Sequence, residues 1–415
     1  MIILVFLYNI FIKLFGPGIQ IAAIKNKKAK DWIKGRKDLF EELKKRIPSG
    51  VKIIWVHAAS AGEFEQAKPL IENLKETYPH HKVLVSFFSP SGFAAGMKYK
   101  QADFITYLPL DTAANANRFL SITKPELVIF IKYDYWYQHL KAIHKRKLPL
   151  LLVSAIFRDS QPFFKWYGGL HRKMLGFFNH LFVQDEESKQ LLDKINVRHC
   201  TVTSDTRFDR VISIAGNFTP LPLIEQFAID TKLIVAGSTW KEDEELLASI
   251  ALHPEYKFII VPHEISAEHI YQTLRLFPGS IPYSQGDRPD INSFKTIIID
   301  NYGMLSRIYK YATIAYIGGG FNKSGIHNTL EAVVFGKPVL FGPNYEKFKE
   351  ARELIEKGAA FSISTQQELS TVINELFDEN NLLMAGEKAG AYVKRNAGAT
   401  LNIINYIQEN RLLTR

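Results

Sequence analysis

The chain has 415 residues, a single cysteine at position 200 and a formal net charge of +10 at pH 7. This length exceeds what one hydrophobic core supports, so we expect two domains, and 47% hydrophobic residues fit a globular protein rather than a disordered one. One cysteine excludes a disulfide scaffold and a thiolate metal cluster, and it indicates a reducing compartment. The positive charge indicates an anionic partner, either nucleic acid or a membrane surface.

The first 24 residues are predicted to associate with a membrane. Residues 1–15 are apolar apart from Asn9 and Lys13, and the apolar character continues to Ile24. A basic run suited to anionic lipid headgroups follows at once, which places the main body on the cytoplasmic side by the positive-inside rule. Gly16-Pro17-Gly18 is expected to interrupt the segment. A span, a shallow anchor or hairpin in the interface, and a helix buried on the domain therefore remain open.

Beyond residue 25, short apolar runs alternate with helix-like stretches. Residues 52–59 and 82–88 read as strands, a helix is predicted from Ala61 to about Thr77, and the pattern restarts after a pause at 217–222. Such alternation is typical of doubly wound parallel sheets, here one in residues 25–213 and one in 214–415, with the packing of the last helix on the first domain left open. Ligands bind at the carboxyl ends of strands in these folds, so we expect the site in a cleft between two facing domains.

Residues 317–343, IGGGFNKSGIHNTLEAVVFGKPVLFGP, predict a strand, a glycine turn, a loop that opens a helix at Asn328–Thr329, and a second strand. Glycines allow a ligand to approach the backbone, and the first N–H groups of a helix attract anions. Glu331 falls in the first turn, where its carboxylate can accept hydrogen bonds from sugar hydroxyls. This pattern predicts a nucleotide site, with a structural turn that binds no ligand as the alternative.

Four segments together resemble one enzyme family. They are HAASAGE with Glu63, AGSTWKEDEE from Ala236, VPHE around His263, and GIHNTLEAVVFGKPVLFGP. Their order and intervals resemble those of the transferases of 3-deoxy-D-manno-octulosonic acid (Kdo) in lipopolysaccharide assembly, from about residue 25 to the C-terminus. The resemblance implies a GT-B type glycosyltransferase with two Rossmann-like domains. It also implies transfer of Kdo from CMP-Kdo to a lipid A precursor of the lipid IVA type, at the cytoplasmic face of the inner membrane.

The resemblance implies three catalytic residues in the first domain. Glu63, in Ser60-Ala61-Gly62-Glu63, falls on the family's general base, and its alternative role is to cap its helix. Arg207, in SDTRFD, falls on a basic residue that would balance the departing phosphate or hold the Kdo carboxylate, with a surface ion pair as the alternative. Asp134, in KYDYW, falls on the second acid of the family's ETELW motif, although Lys132 replaces the first acid.

The resemblance also implies a CMP site on three loops of the second domain. The loops contain Pro262 and His263, where many relatives have Pro-Arg; Tyr302, Gly303 and Met304, under the cytosine; and Asn328, Thr329, Leu330 and Glu331, in place of NPLE. Glu331 is expected at the ribose and the helix start at the phosphate. Ser238 or Thr239 is predicted to cap the acidic helix that follows rather than to bind ligand.

The sequence shows neither an Asp-x-Asp pair after a strand nor an HExxH motif, so we predict a transfer without metal or cofactor. The resemblance implies that the transfer is inverting. Two rival functions use the same features. One is a GT-B UDP-sugar epimerase or another membrane-associated nucleotide-sugar glycosyltransferase. The other is a non-enzymatic membrane scaffold or RNA-binding protein, and the lack of an RRM-like signature argues against nucleic acid. The number of Kdo units transferred and the oligomeric state stay open.

Overall fold

The chain forms two compact units. The computed structural model describes residues 2–413. The first unit comprises the chain up to Arg210 together with the segment from Ala397, and the second comprises Val211–Asn396. Each unit is built on a parallel sheet, as the alternation of strands and helices predicts.

The first unit contains a seven-stranded sheet within the described residues. Its strands are β1 (Ile53–His57), β2 (Lys82–Phe87), β3 (Phe104–Tyr107), β4 (Pro125–Ile131), β5 (Leu150–Ala155), β6 (His180–Val183) and β7 (Cys200–Val202). They lie in the order β3-β2-β1-β4-β5-β6-β7, and all neighbours are parallel. Strand order therefore reverses between β1 and β4, which are neighbours although β2 and β3 intervene in sequence.

The helices of the first unit before residue 217 are α1 (Ile2–Ala22), α2 (Lys27–Lys34), α3 (Leu39–Arg46), α4 (Ala61–Thr77), α5 (Pro90–Met97), α6 (Ala113–Thr123), α7 (Tyr137–Lys145), α8 (Gly169–Leu175), α9 (Glu186–Lys194) and α10 (Thr206–Gly216), the last of which contains the division between the units. Two apolar clusters cover the sheet. Trp55 belongs to one cluster and its neighbours Ile54 and Val56 to the other, because successive side chains of a strand point to opposite faces. This explains why all five residues of β1 are buried.

Helix α1 is continuous from Ile2 to Ala22 and includes Pro17, so the expected interruption at residues 16–18 is wrong. Proline removes one backbone donor, but ring contacts of Phe15 hold the helix immediately before that position. The Phe15 ring lies 6.0 Å from Trp32 and 6.1 Å from Phe88, measured between ring centroids. The predicted apolar segment is therefore a packed helix rather than a hairpin.

One face of α1 is tied to the first unit and the other is exposed. Ile12 is buried, the Tyr8 hydroxyl donates to Asp111, and the Gln138 side-chain amide donates to Asn9 Oδ1 at 2.6 Å. The exposed face carries the apolar residues Ile2, Ile3, Phe6, Leu7, Ile10, Phe11, Leu14 and Ile21. By length and composition, α1 is the one helix among residues 2–413 that could cross a membrane.

The second unit repeats the architecture with another seven-stranded parallel sheet among the described residues. Its strands are β8 (Lys232–Thr239), β9 (Tyr256–Pro262), β10 (Ser280–Pro282), β11 (Thr296–Ile298), β12 (Ile314–Ile317), β13 (Val339–Phe341) and β14 (Ala360–Ser362), in the order β10-β11-β9-β8-β12-β13-β14. The reversal of strand order falls between β8 and β12. There Ile317 lies opposite Gly237.

The remaining helices are α11 (Pro222–Ala228), α12 (Lys241–Ala248), α13 (Ala267–Leu276), α14 (Leu305–Ile308), α15 (Leu330–Val333), α16 (Lys349–Glu356), α17 (Gln366–Leu376), α18 (Glu379–Arg395) and α19 (Ala399–Glu409). The last of these returns to the first unit. Ile403 and Ile407 of α19 join the apolar cluster that contains Ile54 and Val56, and the Tyr406 ring lies 4.4 Å from that of His180.

Candidate active site

The first group of candidate residues lies where β1 and β4 end. His57 closes β1, Ser60 precedes α4, and Glu63 lies in the first turn of that helix. On the neighbouring strand, Lys132 follows β4 with a left-handed φ of 67°, and Asp134 lies two residues further on. A non-glycine residue rarely adopts this backbone conformation, and such strain is typical of functional sites. We call this group, together with Arg207, the β1–β4 site.

Glu63 caps α4 in a reciprocal capping box. The Ser60 amide donates to Glu63 Oε2 at 3.0 Å, and the Glu63 amide donates to Ser60 Oγ at 3.4 Å. Burial raises the pKa of Glu63 and the Asp134 carboxylate raises it further, whereas His57 and amide hydrogen bonds act in the opposite direction. The capping role that the sequence offered as an alternative is therefore real. It coexists with a carboxyl group whose pKa is shifted toward the range that suits a general base.

Asp134 is held by two nitrogen donors. His57 Nε2 lies 2.7 Å from Asp134 Oδ2, and Trp136 Nε1 donates to the same oxygen at 3.0 Å. His57 is completely buried, while Asp134 is partly exposed. The sequence missed His57, although one polar residue at the end of an otherwise apolar strand, IIWVH, is a signal that could have found it.

Arg207 pairs with a buried acid rather than a surface one. Its Nε donates to Asp205 Oδ2 at 2.9 Å, and Gln66 Nε2 lies 3.0 Å from both oxygens of that carboxylate. Burial acts to raise the pKa of the Asp205 carboxyl, but Arg207 and Lys132 hold it below its usual value. Because breaking a buried pair is costly, Asp205 fixes the guanidinium in place. Asp209, the other acid near Arg207 in sequence, instead accepts from the amides at residues 398 and 400, at 2.7 Å each.

Tyr133 and Arg158 also belong to the β1–β4 site, and sequence reasoning missed both. Burial raises the pKa of the Tyr133 phenol; Arg158 and Arg207 oppose this rise, and Asp205 and Glu63 support it. Tyr133 is therefore surrounded by the charged residues that follow β1, β5 and β7. An anionic group near this tyrosine would meet two guanidinium groups.

In the second unit, helix α12 follows β8, and its N-cap residue differs from the one that the sequence predicts. Trp240 is the N-cap of α12, and its amide donates to Asp243 Oδ2 at 2.9 Å. The same oxygen accepts from the Gly319 amide at 2.8 Å, and the Tyr316 hydroxyl donates to Oδ1 at 2.7 Å. The prediction that Ser238 or Thr239 caps the helix is wrong, because the Asp243 carboxylate satisfies the free amide at this helix start. Asp243 thereby joins the loop after β8 to the glycine turn after β12.

Three rings stack beside this junction. The Trp240 and His263 rings are 4.8 Å apart, and the His263 and His327 rings are 4.5 Å apart. Trp240 Nε1 donates to His327 Nε2 at 3.3 Å. Burial, and then the neighbouring His263, lower the pKa of His327 to about 4, so this ring is neutral at pH 7. His263 is thus the middle ring of a stack of three aromatic side chains.

The three predicted CMP loops meet the same end of the second sheet. The Tyr302 hydroxyl accepts from the Ile265 amide at 3.3 Å, which joins the Tyr302 loop to the His263 loop. Asn328 Nδ2 donates to Glu331 Oε1 at 3.0 Å. Met304, Thr329 and Leu330, by contrast, are buried, and the Leu330 amide donates to Asn328 Oδ1 at 3.2 Å.

The helix in this stretch begins where the sequence predicts and is a single turn. Helix α15 begins at Leu330, with Thr329 as its N-cap, and ends at Val333. A single turn has only a small dipole, so its attraction for an anion depends on individual N–H groups.

Solved structures resemble the whole chain at low sequence identity. A UDP-GlcNAc 2-epimerase from Neisseria meningitidis bound to UDP-GlcNAc matches with a TM-score of 0.59 and 17% identity, over 86% of this chain and 100% of that one. A UDP-GlcNAc 2-epimerase from Methanocaldococcus jannaschii matches with a TM-score of 0.53 and 16% identity, over 83% and 99%. These likenesses, together with the two parallel sheets, define an α/β protein of the GT-B class and confirm the predicted fold class.

Sequence comparison specifies the family. Residues 33–210 match the family model described as 3-deoxy-D-manno-octulosonic-acid transferase (kdotransferase). The chain is 27% identical to the 3-deoxy-D-manno-octulosonic acid transferase of Aquifex aeolicus over 380 residues, which are 86% of this chain and 97% of that protein. It is 29% identical to the Rickettsia felis transferase of the same name over 345 residues, 80% of this chain and 73% of that protein. The first unit of this chain therefore matches the Kdo transferase model, and most of the chain is similar to Kdo transferases.

Proposed function

We propose that this protein is an inverting transferase that moves Kdo from CMP-Kdo to a lipid A precursor of the lipid IVA type in lipopolysaccharide synthesis. The position of Glu63 supports this activity most directly. Its carboxylate lies at a loop–helix junction beside Asp134, at the carboxyl ends of neighbouring parallel strands, which is where α/β folds bind their ligands. Similarity to the Kdo transferases supports Kdo as the transferred sugar and lipopolysaccharide synthesis as the pathway. The CMP donor and the lipid acceptor are inferred from the same resemblance.

In the proposed reaction, Glu63 acts as the general base. The acceptor hydroxyl gives its proton to the Glu63 carboxylate as its oxygen bonds to the anomeric carbon of Kdo. The bond between that carbon and the phosphate oxygen of CMP breaks on the opposite side, and CMP leaves with the electron pair. A base with a raised pKa gains driving force for this proton transfer as long as it is still ionised at the working pH.

We assign Arg207 to an anionic group of the donor, either the phosphate or the Kdo carboxylate. A guanidinium already oriented by the buried Asp205 loses little freedom when it binds a planar or tetrahedral anion. Pro262, His263, Tyr302, Gly303, Met304 and the segment Asn328–Glu331 are proposed to hold CMP, with Glu331 at the ribose. Asp134 is proposed to act on Glu63, and no metal or cofactor takes part.

The exposed apolar face of α1 and the basic residues that follow it support attachment to the cytoplasmic face of the inner membrane. A helix with an apolar face and neighbouring lysines binds an anionic membrane surface in two ways: its apolar side chains are buried in the lipid, and its lysines are attracted to the headgroups. Fractionation of cells that express the full chain should place it with the inner membrane. Protease added to intact spheroplasts should leave it uncut, whereas cleavage would contradict the proposed orientation.

The proposed activity is tested with purified full-length protein, CMP-Kdo and lipid IVA, analysed by mass spectrometry. We expect the acceptor mass to rise by whole Kdo units, and the number of units is read from the same spectrum. A parallel sample with UDP-GlcNAc tests the epimerase alternative, which only the shared fold supports. Epimerised UDP-sugar with an unchanged lipid acceptor would overturn the proposed function.

A further inference from the structure

A buried series of hydrogen bonds runs from one tryptophan to another through the β1–β4 site. Trp55 Nε1 donates to Ser86 Oγ at 2.7 Å, and Ser86 Oγ lies 2.8 Å from His57 Nδ1. His57 Nε2 lies 2.7 Å from Asp134 Oδ2, which also accepts from Trp136 Nε1 at 3.0 Å. Trp55, Ser86 and His57 are completely buried. We call these five residues the two-tryptophan network.

The indole of Trp55 fixes which group donates and which accepts in each hydrogen bond of this network. An indole N–H can only donate, so the Ser86 hydroxyl oxygen accepts from Trp55 and its own hydrogen is directed to another acceptor. His57 Nδ1 is at hydrogen-bond distance, and it accepts that hydrogen if it carries no proton. The proton of the imidazole then lies on Nε2, which donates to Asp134. The Ser86 carbonyl, 3.1 Å from Nδ1, already accepts from the Ala58 amide at 3.0 Å.

We infer that His57 is a positioning residue: Trp55 and Ser86 hold it as the Nε2–H tautomer, and in this form it fixes the Asp134 carboxylate beside Glu63. The inference rests on the proposed function, because Glu63 is the group that takes the acceptor's proton. It assigns roles to Trp55, Ser86 and His57, which do not touch substrate. It also explains why Asp134 faces two nitrogen donors on a single oxygen.

The consequence of this arrangement falls on Glu63. Burial and the Asp134 carboxylate raise the pKa of Glu63, and a positive charge on His57 would lower it. The charged or titratable groups that face Glu63 are Asp134 and Tyr133 from the loop after β4 and His57 from β1. A neutral His57 leaves the negative charge of Asp134 uncompensated, whereas an imidazolium would cancel it. By keeping Nδ1 free of a second proton, Ser86 therefore preserves the strength of the base.

The first experiment reads the tautomer directly and needs no activity. Full-length protein labelled with ¹⁵N-histidine is examined by long-range ¹H–¹⁵N correlation at neutral pH, and His57 is assigned by its loss in His57→Gln. We expect Nε2 to carry the proton and Nδ1 to be bare. In Ser86→Ala, Nδ1 loses its donor and faces only the backbone carbonyl at 86, so it should become protonated. An Nδ1–H ring or an imidazolium in the unchanged protein would overturn the inference.

The second experiment measures Kdo transfer by Ser86→Ala and Trp55→Phe across pH. With an imidazolium beside Asp134, Glu63 becomes a weaker base. We therefore expect kcat to fall at least about tenfold and the acidic limb of its pH profile to move to lower pH, with KM for CMP-Kdo unchanged. Trp55→Phe removes the Nε1 donor but also leaves a smaller ring in the core, so its melting temperature is measured alongside the pH profile. Trp166→Phe, at a residue 92% exposed, is the matched control.

The outcomes are separable. A lower melting temperature with an unchanged pH profile in both variants would make the network merely structural and overturn the positioning role. If the unchanged protein transfers no Kdo, the proposed function fails and the role in that reaction fails with it, although the tautomer stands as measured. An altered tautomer together with a shifted acidic limb supports the inference.

Discussion

Replacing Glu63 by glutamine separates its two roles, because glutamine can cap a helix but cannot take a proton. The glutamine Oε1 accepts from the Ser60 amide in place of the carboxylate, so the capping box survives. General bases contribute about 10²- to 10⁴-fold to enzymatic rates, and we expect kcat to fall by that factor. The loss corresponds to about 2.7 to 5.4 kcal/mol of transition-state stabilisation.

The same substitution that lowers kcat, Glu63→Gln, should raise the stability of the folded protein at neutral pH. The pKa of Glu63 is raised in the folded protein, so its contribution to folding is present below the ordinary glutamate range and is lost as pH rises through the folded pKa. The ionised carboxylate therefore costs stability at neutral pH, and glutamine removes that cost. The melting temperature of Glu63→Gln relative to the unchanged protein should increase with pH, offset by the small loss of a charge at a helix N-terminus.

The assay is single-turnover Kdo transfer to lipid IVA across pH, with CMP binding measured separately by calorimetry. The unchanged protein should become faster as pH rises through the pKa of Glu63, while Glu63→Gln should stay slow and still bind CMP. Glu76→Gln, the same substitution at an exposed position of α4, is the control. A Glu63→Gln protein that retained more than about a tenth of the rate would refute the assignment of the base.

Three further substitutions have defined expectations. Gly237→Ala would place a Cβ 2.0 Å from the hydroxyl of the buried Tyr309, so we expect a loss of about 1 to 3 kcal/mol in thermal unfolding. Asp243→Asn replaces one of the two accepting oxygens by an NH2 group, which cannot accept a hydrogen bond, and should cost about 1.5 to 3 kcal/mol. Because burial raises the pKa of Asp243, this loss of stability should be largest at acidic pH and narrow as pH rises through that pKa. Leu14→Glu, on the exposed face of α1, should weaken binding to anionic vesicles at least about tenfold in a sedimentation assay.

Each of these substitutions has a matched control. Gly216→Ala, at the end of α10, meets open space and should not lower the melting temperature, and Asp287→Asn is the exposed counterpart of the buried aspartate. Leu252→Glu alters a leucine of similar exposure in the second unit. Equal effects of a substitution and its control would contradict, respectively, the close contact at Gly237, the buried hydrogen bonds of Asp243 and the role of the α1 face in membrane binding.

The sequence predicted the elements well where the pattern is local. Helix α4 begins and ends where its amphipathic pattern does, at Ala61 and Thr77, because a helix start and its capping residue lie within a few positions of each other. Predictions from short sequence windows were wrong at two places. Pro17 was expected to break α1, and Ser238 or Thr239 to cap α12, because neither the packing around Phe15 nor the reach of Asp243 is visible in a short window.

The family motif by itself identified Glu63 as a candidate base, and the apolar start of the chain by itself predicted a membrane-facing helix. What makes Glu63 chemically unusual was decided by tertiary structure. His57 and Asp134 are 77 residues apart in sequence and meet only because β4 pairs with β1 while β2 and β3 lie on the other side. The buried partners of Asp134 and Arg207 follow from the same strand order. Hydrophobic periodicity is a property of neighbouring residues, whereas strand order and burial depend on the whole chain, so only the fold determines which carboxyl groups influence one another.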